Sequence, residues 1–357
     1  MLKLTNVLLN IPTMLTTTFQ KLAAYVLVTI FLILTIYSIS DFTYQQIKTI
    51  YAQNQNNTNS NNNGSISGNQ EEGFRPTKKI TIILENTEIE IAPGEKIKTW
   101  AFNGTVPGPT VRLTEGETAS ILFVNNGTFP HTIHFHGIHD DKNDGVLPVI
   151  MPGKSYTYNI TAEPAGALMY HCHVPPVSEH IRMGMYGAFI IDPKDQPLKP
   201  AKEYYMVMSE FSTDEKNVTK FLANHYPING YSYQYMSYPL EITQGDLVRI
   251  YLVNMGITIS SPMHLHSTIF DVYPSGLLSN KPYKAQTIQV APGDAAIIEA
   301  KWKYPGSYMF HSHGFQEEHG NMGRVLVKEN INSTELTKSV SMFDWQYDLQ
   351  KKLQQQK

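Results

Sequence analysis

Four short strings place histidines two residues apart: "HTIHFHG" from residue 131, "HCH" from 171, "HLH" from 264 and "HSH" from 311. Side chains two apart on an extended strand share a face, so each pair offers two imidazoles side by side. Neutral imidazole is the commonest metal ligand, which makes His134/His136, His171/His173, His264/His266 and His311/His313 candidate ligands. The single cysteine of the chain, Cys172, lies between two of them. Strand parity turns Cys172 to the face opposite His171 and His173, and separates His131 from His134 and His136 in the same way. His131 and Cys172 are therefore expected to enter the interior together, while the paired histidines face outward. His180 and, five residues later, Met185 come after the cysteine. Two histidines, one thiolate and a weak thioether describe a blue-copper electron-transfer site. A catalytic Cys/His pair would need an orienting Asn or Asp and would leave eight paired histidines without a role. A structural zinc site usually draws on several cysteines.

The elements that must position these groups are strands. The chain has 21 prolines and 23 glycines between short Val/Ile/Tyr/Phe/Thr runs, the pattern of β-structure. It also reads twice. "NGTVPGPTVRLTEGETASILFVNNG" from Asn103 is echoed by "NGYSYQYMSYPLEITQGDLVRIYLVNMG" from Asn229, and "MPGKSYTYNITAEPAGALMYHCH" by "APGDAAIIEAKWKYPGSYMFHSH". Pro152 stands 19 residues before His171, and Pro292 stands 19 before His311. This predicts an all-β fold of two tandem β-sandwich or Greek-key domains, residues 77–197 and 198–330, each carrying two histidine pairs.

Residues 1–51 contain Leu22 to Ser40, 19 residues without a charge and preceded by Lys3 and Lys21. That length is near the ~20 residues of a membrane-spanning helix, and the lysines place the rest of the chain on the outer side. The expectation is an N-terminal hydrophobic helix, either a retained anchor or a signal peptide cut near Ser38-Ile-Ser40, and hence a cell-surface or secreted protein. The Asn/Gln-rich stretch 52–76 is expected to be a disordered linker, and 331–357 a short tail. A net charge of −3 makes no electrostatic case for nucleic acid.

With "HTIHFHG", "HCH…H…M", "HLH" and "HSHG" in this order, the chain resembles the multicopper oxidases, specifically their compact two-domain members. The resemblance covers roughly residues 78 to 328. It implies cupredoxin-like domains and four coppers. His131, Cys172, His180 and Met185 would hold the type 1 copper, His134 and His264 the type 2 copper, and His136, His171, His173, His266, His311 and His313 the type 3 pair. The second repeat has lost its blue site: Ser261 stands where His131 would be and Ser312 where Cys172 would be, and His319 and Met322 are read as remnants, not as ligands.

The implied activity is one-electron oxidation of a donor at the type 1 copper and reduction of O2 to water at the trinuclear cluster, with Cys172 and its backbone linking the two. The donor is left open: a small molecule, a metal ion or a small cupredoxin. Asp144, in "DDKNDG", is the candidate proton relay, or else a plain Asp-Gly turn residue. One rival is a copper nitrite reductase, to which the loop "VPPVSE" is closer; its catalytic aspartate would fall at residue 134, here histidine. The other is a non-enzymatic copper-binding or electron-transfer protein. Each domain carries half of the cluster ligands. The resembled family joins such halves between subunits, which implies a head-to-tail homotrimer.

Overall fold

A computed structural model of the chain describes residues 74–214 and 223–330. The hydrophobic segment 22–40, most of the linker and the tail lie outside these residues, and no helix within them is long and apolar enough to cross a membrane. The first half comprises β1 (Lys78–Ala92), β2 (Glu95–Phe102), β3 (Val111–Thr114), β4 (Thr118–Asn125), β5 (His134–Phe135), β6 (Ser155–Thr161), β7 (Gly166–His171), helix α1 (Val177–Arg182) and β8 (Tyr186–Asp192). The second comprises β9 (Lys202–Met208), helix α2 (Gln234–Ser237), β10 (Leu240–Thr243), β11 (Val248–Asn254), β12 (Ser261–Leu265), β13 (Phe270–Pro274), β14 (Tyr283–Ala285), β15 (Thr287–Val290), β16 (Ala295–Ala300), β17 (Gly306–His311) and β18 (Met322–Lys328).

Each half is a sandwich of two sheets. The orders are β2-β1-β4-β6 and β3-β8-β7-β5 in the first half, and β14-β13-β16-β11-β9 and β10-β18-β17-β12-β15 in the second. Strands with one solvated face alternate as the sequence does, for example β4, in which Ala119, Ile121 and Phe123 turn inward. By contrast, "GALMYH", "YGAFIID", "VRIYLVN" and "AAIIEA" are apolar almost throughout, and they form β7, β8, β11 and β16. These strands are buried on both faces. Leu168, Tyr170, Phe189 and Ile191 enter the first core, and Ile250, Leu252, Ala296 and Ile298 enter the second. Their alternate residues Ala167, Met169, Ala188, Ile190, Tyr251, Val253, Ala295 and Ile297 form a third core in which the halves meet.

That shared core has an ionic margin. Arg112 forms a two-pronged pair with Asp192 at 2.6 and 2.7 Å and reaches Glu203 at 2.7 Å, which Arg249 also contacts at 3.0 Å. Arg249 is buried, and Glu299 at 2.6 Å balances its charge. The two backbones also touch directly: the Ala167 amide donates to the Gly276 carbonyl at 2.8 Å, the Leu278 amide to the Ala165 carbonyl at 3.2 Å and the Ser232 amide to the Ile91 carbonyl at 2.7 Å. Gly276 has φ +68°, and a Cβ there would lie 2.2 Å from the Ala167 carbonyl oxygen. Gly276→Ala is therefore expected to destabilise the folded chain by about 1–3 kcal/mol through strain and loss of this contact. A urea midpoint equal to that of the wild type would contradict this.

Candidate metal centres

The strand pairing assembles the histidines. β5 and β7 pair with His134 opposite His171, and β12 and β17 pair with His264 opposite His311. Each hairpin-like pairing sets two His-x-His segments beside each other, giving one quartet per half. In the first, the rings of His134 lie 5.1, 5.3 and 5.4 Å from those of His136, His171 and His173. In the second, the rings of His264 lie 4.9, 5.6 and 5.0 Å from those of His266, His311 and His313.

Second partners orient the rings, and they do so in the same manner twice. His134 Nδ1 donates to the Asp144 carbonyl at 2.5 Å, and His264 Nδ1 donates to the Gln286 carbonyl at 2.6 Å. In each case Nε2 is left as the free nitrogen. His171 Nδ1 donates to the Cys172 carbonyl at 3.0 Å, and His311 Nδ1 to the Ser312 carbonyl at 2.9 Å. Their Nε2 atoms then approach those of His136 at 3.2 Å and His266 at 2.9 Å. Two nitrogens directed at each other with lone pairs available are the donor arrangement a metal ion takes up. The turn that brings Asp144 to His134 depends on Gly145, with φ +86°, where a Cβ would fall 1.8 Å from the Ile133 carbonyl oxygen. The Asp144 carboxylate lies 3.4 Å from His134 Nδ1. The second quartet has a carboxylate of its own, since Glu317 lies against His311 Nδ1.

Cys172 points the other way, as parity requires, and is fully buried with His131 in the first core. Its Sγ is 3.1 Å from His180 Nδ1 and 3.8 Å from His131 Nδ1, and the two Nδ1 atoms are 3.1 Å apart. One cysteine sulfur and two imidazole nitrogens thus converge within the reach of one ion. The Thr132 amide donates to Sγ at 3.5 Å. Helix α1 carries His180 into the site, and Met185 returns the chain: the Cys172 amide donates to the Met185 carbonyl at 3.1 Å and the Met185 amide to the His180 carbonyl at 3.2 Å. Met185 is buried in the same core. Sulfur, nitrogen and thioether of this kind suit copper.

Three neighbours have no counterpart in the motifs. Trp100 of β2 packs edge-on against His131 and His180, with ring centroids at 5.2 and 5.0 Å, and the half-exposed Phe129 ring lies 5.1 Å from that of Trp100. Gln286 orients His264, and Glu317 contacts His311. Trp100 and Gln286 are distant in sequence from what they touch, so no local pattern reveals them.

Burial sets the protonation of these groups. It holds His131 and His171 down to about 3 and His136 and His180 to about 4, with neighbouring imidazoles adding to the effect at His131, His136 and His171. The imidazoles are thus neutral and ready for a metal at neutral pH. The same burial raises the Cys172 thiol to about 11, so metal uptake there must displace a proton.

Residues 84–196 and 196–331 both match family models described as multicopper oxidase. The chain is 31% identical over 284 residues to the copper-containing nitrite reductase of Neisseria meningitidis, covering 74% of this chain and 73% of that one. It is 26% identical over 271 residues to Laccase-8 of Oryza sativa, covering 67% of this chain and 46% of the laccase. A solved structure described as a multicopper oxidase superposes with a TM-score of 0.66 at 37% identity, over 70% of this chain and 88% of the other.

The four depressed histidines have a consequence for stability. Between their folded values of about 3 to 4 and the ordinary imidazole value of 6.5, the unfolded chain binds more protons than the folded one. Copper-free protein is therefore expected to lose stability progressively as the pH falls from about 6.5 towards 4. Its urea midpoint should be lower at about pH 5 than at about pH 7.5. An unchanged or higher midpoint would contradict the assignment of these rings as buried and neutral.

Proposed function

The chain belongs to the multicopper oxidase family, and from that premise we propose that it oxidises a donor one electron at a time and reduces O2 to water. The observation that carries the reading is the pair of matching histidine quartets, each with an oriented type 2 candidate (His134, His264) and an Nε2–Nε2 pair (His136/His171, His266/His311). Copper bound by these residues would supply the one-electron redox steps and the reduction of oxygen. The chain's own part is to hold the donors. His131, Cys172, His180 and Met185 take one copper, and the eight paired histidines take three.

Cys172 is bonded through the backbone to His171 on one side and His173 on the other, so the single-copper site and the quartet are joined by a few covalent bonds. Trp100 covers both imidazoles of the single-copper site, and a donor approaching from that side meets Trp100 and Phe129 first. Asp144, 3.4 Å from His134 and with its side chain 41% exposed, would pass protons between solvent and the cluster. The uncharged segment at 22–40 supports attachment to the outer face of the membrane, or secretion.

A second reading, reduction of nitrite, is favoured by the 31% identical Neisseria enzyme. A single catalytic copper of that type would use His136, His171 and His313, leaving the other five paired histidines without a task. Copper analysis separates the two: about four coppers per chain are expected, whereas about two would move the protein to the nitrite reductases. Cys172→Ser should abolish the blue colour and oxidase turnover while most of the cluster copper stays bound. A variant that remains blue would refute the single-copper site.

Each metal-capable group of three among the described residues is drawn from one half alone. In the second half, parity turns Met263, Leu265 and Phe310 into the core, so His264, His266 and His311 occupy the outer face of their sheet. The opposite sheet, with β11 and β16, is the one that meets the first half. The second quartet therefore faces away from the first half of its own chain. We infer that another subunit supplies the complementary quartet, and that three subunits close the head-to-tail ring. Native mass measurement of the copper-loaded protein is expected to give a trimer; a monomer with four coppers and full turnover would overturn it.

A further inference from the structure

Backbone register identifies what stands, in the second half, at the place of the His131–Cys172–His180–Met185 site. In the first half the Cys172 amide donates to Met185 and the Met185 amide to His180. In the second half the Ser312 amide donates to the Asn321 carbonyl at 3.2 Å and the Asn321 amide to the Gln316 carbonyl at 3.0 Å. Asn321 thus takes the place of Met185, and Gln316 that of His180. Ser261 precedes His264 by the same interval at which His131 precedes His134. The histidine and methionine that the sequence offers as remnants do not fill these places. His319 stacks on Phe315 at 3.8 Å, and Met322 pairs with His311 in the position Tyr186 holds opposite His171.

All four replacements are buried: Ser261 and Gln316 are 3% exposed, and Ser312 and Asn321 are 0%. One side-chain hydrogen bond joins two of them, from Gln316 Nε2 to Ser261 Oγ at 2.9 Å. Ser312 Oγ, Gln316 Oε1, Asn321 Oδ1 and Asn321 Nδ2 have no hydrogen-bond partner among the described residues. Buried polar atoms are nearly always paired, and four unpaired atoms on three residues linked by backbone hydrogen bonds point to a partner that the protein itself does not supply. Their chemistry selects it. The two amide oxygens only accept, the amide nitrogen only donates, and the hydroxyl does both. A cation would be opposed by the amide N–H groups and an anion by the two carbonyl oxygens, and an apolar molecule would leave every atom unpaired. Water donates and accepts, and it typically takes about two to four such partners in a buried site.

We propose that Ser261, Ser312, Gln316 and Asn321 form a closed site for about one or two bound waters, a hydrated chamber occupying the second half's counterpart of the blue-copper site. It lies directly behind the second quartet, because Ser312 is flanked by His311 and His313. The two quartets are thus backed differently: the first by a thiol, the second by neutral amides, hydroxyls and water. The set has neither the thiolate nor the imidazoles that hold copper in the first half. The site stands on these four residues alone and is independent of the reading of the first half and of the acceptor.

The test is a count of long-lived waters by oxygen-17 relaxation dispersion, on the copper-free full chain and on the variant S261A/S312A/Q316M/N321L. The wild type is expected to exceed the variant by about one or two waters, and equal counts would overturn the proposal. Because the quadruple variant could fail to fold, the wild-type protein supplies a second measurement. A crystal structure at about 1.2 Å should show a density peak bonded to Ser312 Oγ and to the Asn321 amide at ~2.7–3.2 Å. An empty chamber, a peak held only by oxygens at ~2.4 Å as for a cation, or an anomalous copper signal there would each overturn it.

Discussion

The alternation of side chains across residues 170–173 is the constraint on which the rest of the structure depends. Two successive residues on a strand cannot face the same side, so Tyr170 and Cys172 are committed to the first core while His171 and His173 are turned out of it. That one geometric fact places a soft sulfur ligand inside the protein and two nitrogen ligands on the outside, one peptide bond apart. The same rule acts on the facing segment, where His131, Ile133 and Phe135 are interior and His134 and His136 join the outward quartet. A one-residue slip in either strand would exchange the two sets and abolish both sites at once.

Burial then prepares the ligands chemically. Desolvation penalises a charged imidazole, which keeps His131, His136, His171 and His180 neutral far below the pH at which a solvated histidine would protonate. It also penalises a thiolate, so Cys172 is held as a thiol until a cation compensates its charge. Without metal, such a site contributes most to stability near neutral pH: acid favours the unfolded chain through the histidines and base favours it through the cysteine, and the proton balance shifts when metal enters. Carbonyl groups of Asp144, Gln286, Cys172 and Ser312 complete the preparation by fixing which ring nitrogen faces the site.

The two halves share a plan but differ in what their cores tolerate. The first encloses a cysteine and two histidines beneath Trp100; the second encloses two serines, a glutamine and an asparagine at the corresponding backbone positions. Retaining polar residues there, rather than filling the space with aliphatic side chains, is costly unless they are hydrogen-bonded. The asymmetry leaves one sulfur-containing site per chain, beside two structurally similar quartets.

The sequence by itself determined the elements of the chemistry. Four His-x-His pairs, a lone cysteine between two of them and an internal repeat with equal Pro-to-His spacings were enough to reach an all-β fold of two related halves and an interior sulfur site. Those features are local, and strand periodicity converts local spacing directly into facing direction. What only the tertiary structure decided is which distant groups meet: Trp100 over His131 and His180, Gln286 on His264 and the shared core that joins the halves. It also decided the counterpart of the lost blue site. Residue type in "HSHGFQEEHGNMG" points to His319 and Met322, whereas the second loop is shorter than the first, and only the backbone hydrogen bonds of Ser312 and Asn321 establish which residues turn inward. A loop of changed length breaks the correspondence between sequence distance and position, and only cross-strand pairing restores it.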